Sequence, residues 1–155
     1  MKKTMTVNAK VEKLREVVSF LEEILEEQEC AMKNQMQVSV AAEEIFVNIA
    51  SYAYPEKEGE ALIEAEIGQA GNLMTDQVKM EELNINSTDP VISVTFTDSG
   101  VAYDPLAKPD PDVGLPVEER GIGGLGIFMV KKSMDEVRYE RRGDQNIFTM
   151  VKRLR

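Results

Sequence analysis

The chain of 155 residues has no histidine, no tryptophan and a single cysteine, Cys30. Without histidine there is no Ser-His-Asp or Cys-His catalysis, no histidine-ligated metal, and no kinase that phosphorylates its own histidine. One cysteine cannot close an internal disulfide, which fits a reducing cytosol, and Cys30 reads as a small apolar residue late in a helix. Any acid–base chemistry therefore falls to carboxylates. No apolar run approaches the ~18 residues of a membrane span. The basic start Met1-Lys2-Lys3-Thr4 is not followed by the apolar segment of a secretory leader. A cytoplasmic protein is expected.

What the chain has in excess is acid. The net charge is −10, which argues against nucleic acid and anionic membrane as partners. The distribution is uneven: residues 131–155 hold 8 Lys+Arg and 4 Asp+Glu, a net of +4, so the first 130 residues sum to −14. With 43% hydrophobic and 30% charged residues the composition is that of one globular domain over residues 1–155.

Hydrophobic periodicity predicts the elements. Residues 3–9 read as a short strand. Val11, Leu14, Val18, Leu21 and Leu25 are spaced by threes and fours, an amphipathic helix to about Gln28 with a glutamate-rich outer face. A second helix is expected from Asn34 to Tyr54, stopped by Pro55, with Ala42, Ile45, Ile49 and Ala53 as its apolar stripe. Residues 61–67 and the β-branched run 91–97 read as strands, separated by an excursion over 68–89 with a helical turn near 77–83. From Gly100 to Gly126 lie six of the ten glycines and four of the six prolines. So long a loop in a compact domain points to a lid, placed at about 103–123. A helix over 124–134 and a hairpin of 136–142 with 146–154, turned at Gly143-Asp144, complete the chain. The order predicts an α+β two-layer sandwich: one mixed sheet with three main helices on one face.

Three stretches carry chemistry. Glu44 and Asn48 sit four apart in the second helix and so share a face. The carboxylate can orient or deprotonate an attacking hydroxyl, and the amide oxygen is a hard, neutral ligand for Mg²⁺. Glu43 lies about 100° round the helix and lacks an asparagine one turn on, so Glu44 takes the role. Asp98-Ser99-Gly100 ends the β-branched run. It fits either an ordinary turn or a carboxylate accepting from an exocyclic amine such as adenine's, with Gly100 admitting a flat base. Arg120-Gly121-Ile122-Gly123-Gly124-Leu125-Gly126 leads into a helix. It fits either a mobile turn or a loop whose free N–H groups hold phosphate. Lys131 and Lys132 read as solvated helix residues.

In order and at domain length, these stretches resemble the N, G1 and G2 boxes of the GHKL ATP-binding superfamily, the gyrase, histidine-kinase and MutL group. The RsbW type of bacterial anti-sigma-factor serine kinase is the nearest likeness. The resemblance rests on Ala42-Glu43-Glu44-Ile45-Phe46-Val47-Asn48-Ile49-Ala50, on Asp98-Ser99-Gly100 with Asp104-Pro105, and on Gly123-Gly124-Leu125-Gly126-Ile127 running into Met134-Asp135-Glu136-Val137. It implies an ATP site with Mg²⁺. Asn48 would hold the metal, Glu44 would be the general base, and Asp98 would bind the adenine amine beside Gly100. Arg120 and the loop from Gly121 through Gly123, Gly124 and Leu125 to Gly126 would face the phosphates. It further implies a homodimer that phosphorylates a serine of a STAS-domain antagonist and sequesters a sigma factor. The alternative is an ATP-responsive binding module without kinase activity. An ATPase fragment of the gyrase or MutL kind lacks its transducer domain. The chain departs from its relatives at Ser51-Tyr52, where many carry a histidine, in the length of 68–89, and at Asn146, where an adenine-side threonine is usual.

Overall fold

A computed structural model describes residues 1–107 and 125–155. Five strands form one sheet: β1 (Lys2–Asn8), β2 (Glu60–Gln69), β3 (Pro90–Asp98), β4 (Glu136–Arg142) and β5 (Gln145–Arg153), in the order β1-β2-β3-β5-β4. The helices are α1 (Leu14–Glu27), α2 (Met32–Tyr52), the short α3 (Ala70–Leu73) and α4 (Gln77–Glu82), and α5 (Leu125–Ser133). The α+β sandwich is as expected, but the sheet is antiparallel throughout rather than mixed. The reason is topological. β3 and β4 run parallel, but the β4–β5 hairpin places β5 between them, antiparallel to both. The hairpin loop is two residues, Gly143-Asp144, with Gly143 at φ +62°, a conformation that glycine adopts at no steric cost.

Side-chain alternation divides the sheet. Ile63 of β2, Ile92, Val94 and Phe96 of β3, and Phe148 and Met150 of β5 face α1, α2 and α5 in the main core. The stripe of α1 is rotated from the expected one. Val11 belongs to a preceding 3₁₀ turn and is exposed, while Val17, Leu21, Ile24 and Leu25 are buried. In α2 the buried residues are Val38, Ala41, Ala42, Ile45 and Phe46. Phe46, with no solvent exposure, is the largest core side chain of that helix.

The excursion covers one end of the opposite sheet face. Met74, Met80 and Ile85 pack with Val91 and Val151 in a second apolar cluster. Two buried carboxylates at the start of β4 pin it there. Glu136 accepts from the backbone N–H groups of Thr75 and Asp76, both at 2.8 Å, and pairs with Arg138. Asp135 accepts from the backbone N–H of Arg153 at 2.8 Å, and the Arg153 guanidinium in turn donates to the Leu83 carbonyl. No helix among the described residues is long and apolar enough to cross a membrane.

Candidate functional site

The regular turn of α2 puts Glu44 and Asn48 on one face, about 6 Å apart along the axis. Asn48 Nδ2 donates to Glu44 Oε1 at 3.3 Å, which turns the carboxamide oxygen away from the carboxylate. Glu43 is exposed. The Glu44 carboxylate fills the space that a side chain on Gly126 would need, so the two helices meet closely there. It thus lies beside the first turn of α5, where unpaired backbone N–H groups and the positive end of the dipole favour anionic groups.

Asn48 also borders a slot between α2 and the sheet. Its walls are apolar, with Ile45 and Ile49 on one side and Phe96 and Phe148 on the other. Asp98, at the last position of β3, supplies the carboxylate at its inner end and is only 5% exposed. Asp98 Oδ1 accepts from the Gly100 N–H at 2.9 Å and from Asn146 Nδ2 at 3.0 Å. No described residue bonds Oδ2.

The loop after β3 is held at several of its backbone groups. Tyr54 Oη accepts from the Ser99 N–H at 2.8 Å and donates to the Glu60 carbonyl at 2.7 Å. Burial pushes this phenol above its ordinary value, so it stays protonated at neutral pH and keeps the donor that the second bond requires. Arg141 donates to the Gly100 carbonyl, and Val101 N–H to the carbonyl of Ala53 at the end of α2, each at 2.9 Å. A Cβ on Gly100 would overlap that same Ala53 carbonyl. The close approach of loop and helix end is thus a reason for glycine here, separate from room for a base. Asp104 then accepts from Leu106 N–H at 2.8 Å, closing a 3₁₀ turn over Pro105–Ala107.

An apolar slot lined by a buried carboxylate, Asp98, and by Asn48, with Glu44 hydrogen-bonded to Asn48 just outside it, suits a flat amine-bearing base with an anionic tail. Residues 7–152 match the histidine kinase-like ATPase domain family. The chain belongs to this family. Its ligand is accordingly ATP. No curated protein matches the sequence. Among solved structures, the chain resembles the RsbU and RsbW domains of Rv1364c from Mycobacterium tuberculosis. The TM-score is 0.62 at 15% identity, over 99% of this chain and 32% of that one. The chain therefore spans about a third of the length of that protein, and the likeness is one of fold.

In this ATPase domain, Asn48 and Asp98 share the slot, while Glu44 and Gly126 meet beside it where α2 and α5 approach. Arg120, Gly121, Gly123 and Gly124 lie outside the described residues, as does the side chain of Leu125. Of the expected lid, residues 103–107 are described and tied by the bonds above, and 108–123 are outside. Sequence reasoning did not find the loop clamps Tyr54, Ala53 and Arg141. They act through backbone groups, for which spacing carries no signal. Asn146 had a signal, its place on the strand after the Gly143-Asp144 turn, but the strand register that sets it opposite Asp98 is a tertiary fact.

Proposed function

We propose that this ATPase domain is a protein serine kinase of the anti-sigma-factor type. It would use Mg-ATP to phosphorylate a serine of a STAS-domain antagonist, and would sequester a sigma factor as a dimer. The observation that carries the reading is Glu44: a carboxylate held between Asn48 and the first turn of α5, beside the slot that Asn48 and Asp98 line. Sequestration alone has no use for a base at that place.

The donor set suits magnesium. No cluster of three acidic or thiol ligands occurs among the described residues. Magnesium keeps waters and takes phosphate oxygens, and the Asn48 amide oxygen, directed away from Glu44, offers one neutral ligand. When bound, the ion offsets the charge on the phosphates.

The remaining chemistry belongs to the chain. Glu44 takes the proton from the serine hydroxyl as its oxygen bonds to the γ-phosphorus. The bond from that phosphorus to the bridging oxygen breaks, and ADP leaves. Glu44→Gln keeps the shape and removes the base. ATP binding should stay close to wild type while transfer to the antagonist falls by about 10²–10⁴-fold. Radiolabelled ATP with candidate antagonists measures the rate, and calorimetry the binding. Transfer at the wild-type rate would remove Glu44 from the role. A wild-type protein that binds ATP and a sigma factor but phosphorylates no antagonist would be a binding module.

A further inference from the structure

We propose that Asn146 is a positioning residue that sets the ligand-facing edge of Asp98, and with it the preference of the site for a 6-amino purine. The proposal rests on the reading that Asp98 meets the base.

Asn146 stands directly opposite Asp98 across β3 and β5. Both are nearly buried, at 7% and 5% exposure. The side-chain amide has two donors and two acceptor sites, and all four are engaged within the protein. Nδ2 donates to Asp98 Oδ1 at 3.0 Å and to the Val101 carbonyl at 2.8 Å. Oδ1 accepts from the Tyr103 N–H at 3.2 Å and from the Tyr139 hydroxyl.

The partners dictate one orientation of the amide. Two acceptors, a carboxylate and a carbonyl, face the nitrogen; an N–H donor and a hydroxyl face the oxygen. A flipped amide would set oxygen against oxygen and donor against donor. With its capacity used, Asn146 has nothing left for a ligand and acts only through Asp98.

Its effect there is specific. Asp98 Oδ1 is taken by the Gly100 N–H and by Asn146. Two donors on one oxygen fix the carboxylate plane and present Oδ2 to the slot. A carboxylate oxygen accepts from an exocyclic amine and repels a carbonyl in the same place. The same amide holds Val101 and Tyr103, so the backbone leaving the slot is registered to the group that reads the base. A threonine, with one hydroxyl, reproduces at most part of this set.

The test compares Mg-ATP with the triphosphate of purine riboside, which lacks the 6-amino group, by calorimetry. The wild type should prefer ATP by about tenfold or more, the worth of one hydrogen bond to a charged group. In Asn146→Thr and Asn146→Ala that preference should fall to about twofold or less, with affinity for the purine analogue within about twofold of wild type. Tyr139→Phe, which keeps the ring and frees one side of the amide, should lower the preference less. It supplies the measurement if the Asn146 variants do not fold, and an unchanged preference there overturns the proposal.

A folded Asn146 variant with undiminished preference also overturns it. So does an equal loss of affinity for both nucleotides, which is what a merely structural role produces. A wild-type protein that binds both nucleotides equally removes Asp98 from amine recognition and this proposal with it, while the nucleotide site stands. One that binds neither refutes the site itself.

Discussion

Gly126→Ala separates the folding role of the α2–α5 contact from its chemical one. Gly126 is the second residue of α5, and its φ is not in the left-handed region. Exchanging a helical glycine for alanine usually stabilises by about 0.5–1 kcal/mol. Here a methyl would overlap the Glu44 carboxylate. That group is the free end of a flexible side chain, so the overlap is relieved by moving it. A Cβ there would lie 2.1 Å from Glu44 Oε1, so the carboxylate must retreat by more than about 1 Å before carbon and oxygen reach the van der Waals separation of about 3.5 Å. The Asn48–Glu44 bond is already 3.3 Å long and does not survive such a shift. A displacement of about 1 Å in a reacting group costs on the order of 100-fold in rate. The expected variant is therefore as stable as wild type, with a Tm unchanged or up to about 4 °C higher, but transfers phosphate about 100-fold more slowly with ATP affinity little changed. Scanning calorimetry and a single-turnover phosphorylation assay read the two quantities. A variant with wild-type transfer would show that the Glu44 position in α2 does not govern the chemistry. A Tm lower by more than about 5 °C would refute the packing argument instead.

The same substitution at Gly100 should do the reverse. There the added methyl meets the Ala53 carbonyl, which is backbone, and urea unfolding should show a loss of about 1–3 kcal/mol. Glu136→Ala would leave the Thr75 and Asp76 N–H groups without their acceptor and Arg138 without its carboxylate partner. A loss of about 3 kcal/mol in urea unfolding is expected, with faster hydrogen exchange over residues 70–89, and Glu136→Gln should lose less. Burial raises the thiol pKa of Cys30 above its ordinary value, which lowers the thiolate fraction at neutral pH. Its alkylation by iodoacetamide at pH 7.5 should be slower than that of a free thiol, and should approach the free rate as pH rises through the raised pKa or in urea. Equal rates at pH 7.5 in the native protein would show that the thiol is not shielded.

The sequence by itself determined which segments become helix and strand, because apolar spacing and turn residues are local. Val91 to Thr97 is a strand on β-branched content, and the reversal at Gly143-Asp144 needs only one residue that accepts a positive φ. Glu44 and Asn48 share a face because a helix has a fixed pitch, so that half of the site was legible without a fold. Asp98 was legible as a strand-end carboxylate. Tertiary structure decided the rest. Where β5 inserts depends on a hairpin folding back beside β3, and that placement made the sheet wholly antiparallel and set Asn146 against Asp98. The rotation of the α1 stripe, which buries Val17 and Ile24 instead of Val11, follows from packing against α2 and the sheet rather than from the period alone. The clamps on the loop after β3 join Tyr54, Ala53, Arg141 and Asn146 to backbone groups up to 48 residues away in the chain. Backbone donors and acceptors are alike at every residue, so only the folded chain determines which of them a side chain meets.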